Sequence, residues 1–196
     1  MRKIALVMLL VLVGSAASGC APSGEATPTP TPEPAPFPVI VSPTVLAMLL
    51  VYDDPAGYFT ISYPAKWEVS AAAQQVEFIE PHGNLHILVQ YAEAGQVLDA
   101  AMMRDLVESY FASGELLGVT SYERVSDTVQ EDGSVLVEYS FTASGTRGYG
   151  STLFRQQGTV LYLLSFWSGR QDLWMPSQAL FETVSGTFVP TPPGPP

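Results

Sequence analysis

Between positions 121 and 167 the chain runs through four stretches of alternating apolar and polar residues, 121–130, 134–143, 148–157 and 159–167. They are parted by Glu131-Asp132-Gly133, by Ser144-Gly145-Thr146-Arg147 and by Gln157-Gly158. A period of two places successive side chains on opposite faces of a strand. Connections this short join antiparallel neighbours as hairpins. The consequence is an antiparallel meander, to which every other segment of the chain has to accommodate.

The same period appears earlier in Gly57-Tyr58-Phe59-Thr60-Ile61-Ser62-Tyr63, where Phe59, Ile61 and Tyr63 share the core face. Pro64 cannot donate to a ladder and ends that strand. Trp67 opens the next short strand, 66–70, with its ring closing the end of the core. A strand over 75–80 follows and meets the turn Pro81-His82-Gly83-Asn84; the next, 85–91, sets Leu85, Ile87, Val89 and Tyr91 on one face. The period then changes to that of a helix. Over 97–112, Leu98, Met102, Met103, Leu106, Val107 and Tyr110 form an apolar stripe opposite Arg104, Asp105, Glu108 and Ser109, and Gly114 stands where a helix would end. A last helix, 172–184, presents Leu173, Leu180, Phe181 and Val184, with Pro176 tolerable only near its first turn. Upstream, Ser42-Pro43 suits a helix start, while the apolar run 45–51 fits a helix or a strand equally. The fold class is α+β: an antiparallel β-sheet with helices packed on its faces.

The amino terminus is of another character. Two cations precede an unbroken apolar run, 4–13, and then small residues to Gly19, the order of a signal peptide. The apolar run is short of the ~20 residues that span a bilayer. Cys20, the single cysteine, follows directly, and Ala17-Ser18-Gly19-Cys20 resembles the lipobox of bacterial lipoproteins. That resemblance implies cleavage before Cys20 and lipid attachment to its thiol, so the membrane is reached through acyl chains. With one cysteine no intramolecular disulfide can form, and an exported domain depends on its core. Residues 21–38, Pro-rich with Thr and acidic spacers, have little to bury and form a tether. At about 3.1 Å per residue in polyproline II it reaches roughly 55 Å. The organisation expected is therefore a signal peptide over 1–19, a lipidated Cys20 and tether over 20–38, one domain over 39–189, and a Pro-rich tail over 190–196.

The stretch Gly57-Tyr58-Phe59-Thr60-Ile61-Ser62-Tyr63-Pro64 with Trp67 resembles the opening of PsbP-like domains, the family of the photosystem II extrinsic protein. The order of elements from about 52 to 189 agrees with it, including the hairpin 151–167 and the closing helix that runs into Gly186-Thr187-Phe188. The resemblance implies an α/β/α sandwich around an antiparallel sheet, used for binding and assembly, with no shared catalytic residues.

Searching the residues for chemistry yields little. The net charge of −11 repels phosphate backbones, which excludes nucleic acid as a partner class. No G-x-S-x-G elbow, phosphate loop or dinucleotide fingerprint occurs, so no cofactor is expected. The paired acids Asp53-Asp54 and Glu131-Asp132 sit in turns and serve them. The two histidines, His82 and His86, with Glu80, could approach one cation, although their spacing matches no compact zinc pattern. Trp167 and Trp174, with Tyr162, offer either core packing or a binding surface. Two functions follow as expectations. The first is a non-enzymatic binding or assembly module, lipid-anchored on the extracytoplasmic side of a bacterial envelope, with an envelope protein as partner. The second is a small envelope hydrolase or metal-binding protein built on Glu80, His82 and His86.

Overall fold

The computed structural model describes residues 48–113, 121–143 and 145–191. The expected signal peptide, Cys20, the tether, the Ser42-Pro43 helix start, the Gly114 helix end and the tail from 192 onward lie outside the described residues. Among the described residues, no helix is long and apolar enough to cross a membrane.

Among the described residues, ten strands and two helices follow in the order β1 (Leu49–Asp53), β2 (Phe59–Pro64), β3 (Glu68–Ala72), β4 (Gln75–Ile79), β5 (Leu85–Glu93), α1 (Ala100–Ser113), β6 (Ser121–Val129), β7 (Val135–Ala143), β8 (Thr146–Gln157), β9 (Val160–Ser168), α2 (Gln171–Gly186) and β10 (Val189–Pro190). Seven strands form one antiparallel sheet in the order β3-β4-β5-β9-β8-β7-β6. The meander β6 to β9 lies as its alternation and short turns require. β5 then closes on β9, which makes the last strand of the meander an interior one. All nine residues of β9 are buried, which corrects the alternation expected for 159–167: its run Val160-Leu161-Tyr162-Leu163-Leu164 is apolar throughout, as a strand covered on both faces should be.

Each face of this sheet carries its own core. On one face Ile87, Val89, Tyr91, Tyr162, Leu164 and Phe166 meet Trp174, Leu180, Phe181 and Val184 of α2, together with Phe59 and Ile61 of β2. On the other face Leu161, Leu163, Val137, Tyr139 and Phe154 receive Met103, Val107 and Phe111 of α1. The α+β sandwich is thus present, with a small second sheet beside α2 on the first face. β2, carrying Phe59 and Ile61, pairs with β1 and β10 in a small second sheet and not with its sequence neighbour β3. The turn after Pro64 diverts the chain, with Lys66 in the left-handed region at φ 77°. Trp67 ends that turn, half-buried against the first core, and β3 starts one residue later. Thr187 ties α2 to the small sheet: its Oγ1 accepts from the Ser62 amide at 2.9 Å.

Two further expectations are corrected. The buried spine of α1 is Met103, Val107 and Phe111, while Met102 is exposed. Leu98, Leu106 and Tyr110 of the expected stripe also pack on this core, half-buried, and the helix starts later than expected: Asp99 Oδ1 accepts from the Ala101 and Met102 amides, both at 2.9 Å, and so caps it. The ordered chain also continues past 189. Pro190 pairs with Phe59 in β10, an edge position that a proline tolerates, and the Thr191 amide donates to the Tyr58 carbonyl at 2.6 Å.

Two glycines in β8 are required by their cross-strand partners. Gly148 pairs with Phe141 and Gly150 with Tyr139, and each partner's ring reaches over its glycine. A Cβ built on Gly150 would stand 2.6 Å from the Tyr139 ring; one on Gly148 would stand 2.3 Å from Phe141 and 2.7 Å from the Ser168 carbonyl. The Tyr139 ring is held in the second core. Gly150→Ala is therefore expected to destabilise by about 1–3 kcal/mol, the cost of overpacking. Denaturant titration checks this; an unchanged midpoint would show that the ring is free to move aside.

Candidate functional site

Glu80, His82 and His86 do not converge. Glu80 Oε2 accepts from the backbone amides of His82 (3.0 Å) and Asn84 (3.4 Å), which makes Glu80 the organiser of the β4–β5 turn. His82 points to solvent, its Nε2 4.0 Å from Glu80 Oε1. His86 turns to another partner. Its Nδ1 lies 2.9 Å from Glu77 Oε1 and its Nε2 3.1 Å from the Gly83 carbonyl oxygen, so both ring nitrogens are committed to acceptors. The ring stacks on Trp167 with centroids 4.7 Å apart and planes 7° from parallel. Among the described residues, no group of three or more His, Cys, Asp or Glu side chains is placed to hold a metal ion.

The three aromatics singled out in the sequence are separated as well. Tyr162 is completely buried, and its hydroxyl donates to the Tyr58 carbonyl at 3.0 Å. Trp174 lies in the same core at 8% exposure, packed on Phe181. Trp167 occupies the opposite face of the sheet. They form no common surface, because neighbouring positions on β9 point to opposite sides. Only Trp174 borders an open feature.

That feature is a groove of about 740 Å³ between α2 and the exposed half of the sheet. α2 packs on β9, β8 and β2 and leaves the same face of β7 uncovered. The floor consists of Leu136 and Leu153, a cross-strand pair, with Phe166 behind them. Trp174, Phe181, Gln178 and Glu182 line the helix side. The β6–β7 turn closes one end with Glu131 and Asp132, and Glu138 stands two residues along β7 from Leu136.

Its carboxylates are held by different means. Asp132 Oδ1 accepts from the Ser134 hydroxyl (2.6 Å) and amide (3.0 Å), and these bonds, more than Arg155 at 3.5 Å, hold its carboxyl below the usual range. Glu138 Oε2 accepts from the Ser126 hydroxyl at 2.6 Å. Neither histidine lines the groove. The arrangement suits recognition: an apolar floor for side chains and a rim of negative charge. Sequence reasoning missed the groove, since Leu136, Leu153 and Glu138 read only as strand residues.

With the geometry in place, comparison with known proteins is informative about the fold. No protein-family model and no curated protein sequence matches the chain. Among solved structures the chain is similar to a cyanobacterial PsbP, CyanoP of Synechocystis, with TM-score 0.60 and 18% identity over 74% of this chain and 93% of that one. A Bacteroides thetaiotaomicron protein matches with TM-score 0.52 and 14% identity over 74% of this chain and 49% of its own length. A Pseudomonas aeruginosa protein of unknown function gives 0.50 and 13%, over 74% and 99%. The fold is PsbP-like.

The buried phenols yield a test of this packing. Burial pushes Tyr139 and Tyr162 up to about 12, from an ordinary value of 10.0. The native state keeps these protons when the unfolded chain loses them. Their contribution to stability is complete below pH ~10 and disappears as pH rises from ~10 to ~12. Urea unfolding across that range should show a falling midpoint, with phenolate absorbance rising in step. A midpoint flat to pH ~12 would contradict the burial of these hydroxyls.

Proposed function

We propose that this PsbP-like fold serves as a non-enzymatic binding or assembly module of a bacterial cell envelope. In this reading a lipid on Cys20 anchors the chain on the extracytoplasmic side, the 21–38 tether holds the domain away from the bilayer, and the groove beside α2 meets an envelope protein partner. The observation that carries the proposal is the groove, an apolar floor rimmed by carboxylates. The sequence pattern that ends at Cys20 supports the anchor, and the use of PsbP-like domains in binding and assembly agrees with the module. No geometry favours the hydrolase or metal-binding alternative: Glu80 is spent on its turn, and His86 on Glu77 and Gly83.

The proposal is tested by expressing the full chain in a bacterium with a photo-crosslinking residue at Gln178, in the groove, or at Gln90, outside it. Crosslinks to an envelope protein are expected from position 178 and not from 90. Incorporation of labelled fatty acid is expected in the parent and absent in Cys20→Ser. Equal crosslinking from both positions would sink the groove as the partner surface; labelling that survives Cys20→Ser would sink the anchor.

A further inference from the structure

The groove is unbalanced in charge: among the described residues, Arg155 beside Asp132 is the one cation paired with its carboxylates. Among the described residues, no cation lies within ion-pair distance of Glu131, Glu138 or Glu182, and only Asp132 has one, Arg155. The remaining arginines are committed elsewhere: Arg124 to Glu108 and Asp127, Arg147 to Glu123, and Arg170 to Asp172. Arg104 lines a separate cavity beside α1. Further positive charge complementary to Glu131, Glu138 and Glu182 is therefore left to an occupant.

The order of features along β7 is specific. Reading from the β6–β7 turn, the acidic pair Glu131-Asp132 comes first, then the half-buried pair Leu136–Leu153, then Glu138 opposite Ser151. Leu136 and Glu138 point from the same face and are two residues apart, about 6.6 Å at strand rise. A segment laid in extended conformation along β7 presents every second side chain to the groove at the same spacing. Its apolar residue then covers Leu136 and Leu153, one flanking cation meets Glu138, and the other, at the level of Ser134, reaches with its long side chain toward the acidic turn.

We infer that the groove takes an extended peptide segment of the partner in which an apolar residue is flanked, two positions to either side, by Lys or Arg. This rests on the groove being the partner surface and adds the chemistry of what it accepts. An apolar ligand alone would leave the carboxylates uncompensated, and a bare cation would leave Leu136 and Leu153 wet. Association by charged rims is weakened by salt, because exposed pairs are screened within about 8–10 Å at physiological ionic strength.

The test uses the full chain in micelles of a neutral detergent. The probe is a capped, labelled heptapeptide, Ser-Lys-Ser-Leu-Ser-Lys-Ser, and binding is read by anisotropy. Two companion peptides replace both lysines by Glu, or the leucine by Ser. The parent peptide is expected to bind, with affinity falling as NaCl is raised, and each companion is expected to bind at least about tenfold more weakly. Glu138→Gln combined with Glu182→Gln should cost a similar factor, whereas Glu68→Gln, on the exposed strand β3, should cost nothing. An equal loss in Glu68→Gln would reduce the effect to general attraction and overturn the proposal. So would undiminished binding of the Ser-for-Leu peptide, and so would an absence of binding. Self-association abolished by the groove variants would assign the groove to a second copy, which also overturns it. If the peptide fails while crosslinking from position 178 persists, the module reading stands and the peptide chemistry falls; if both fail, both fall.

Discussion

β9 is hydrogen-bonded along its full length to β5 on one side and β8 on the other, in continuous antiparallel register from Glu93↔Val160 to Leu85↔Ser168. Everything else is placed by that pairing. Because successive side chains alternate, Tyr162, Leu164 and Phe166 enter one core, and Leu161, Leu163 and Trp167 enter the other. Each large apolar side chain removed from water contributes about 1.5–3 kcal/mol, and few other strands supply two cores at once. A shift of one residue would exchange the two sets and set both helices against the wrong surfaces. The buried hydroxyls fit the same register: Thr152 Oγ1 and Ser165 Oγ face one another across the β8–β9 pair at 2.9 Å, so neither is left unsatisfied.

The two faces are covered unequally, and this asymmetry creates the candidate site. α1 shields β7, β8 and β9 on its side, whereas α2 and the small sheet shield β4, β5 and β9 on theirs. Two half-faces stay open, diagonal to one another. On the α1 side the open half displays the Glu77–His86 pair resting on Trp167, which keeps an indole from water at the margin of the core. On the α2 side the open half is the groove, where a half-buried Leu136–Leu153 pair lies beside Glu131, Glu138 and Glu182, carboxylates without a cation partner among the described residues.

How much of this was legible in the sequence depended on whether the deciding interaction was local. The meander was readable because Glu131-Asp132-Gly133 and Gln157-Gly158 leave no choice of partner. The central position of β9 was not legible, since the expectation for 159–167 is one more alternating strand, and its pairing with β5 links residues 67 to 83 positions apart, without a local signal. Phe59 and Ile61 were correctly read as core residues, yet the small sheet to which they belong depends on the chain crossing at Pro64 and Lys66. The groove was invisible for the same reason: its two walls come from β7 and α2, and no spacing connects Leu136 with Trp174. Large aromatics drew attention instead, and Tyr162 and Trp167 proved to be core, the usual fate of such residues in a fully buried strand.

The account rests on β9 being the structural centre, and native-state hydrogen exchange tests that directly. Amides buried in both ladders should open only with global unfolding, while edge strands open locally at lower free energy. The prediction is that β9 amides, with their β5 and β8 partners, exchange slowest and share one free energy of opening equal to that of unfolding, with β3 and β6 well below it. If β9 amides exchanged as readily as those of β6, the pairing on which both cores and the groove depend would not be the element that holds the fold.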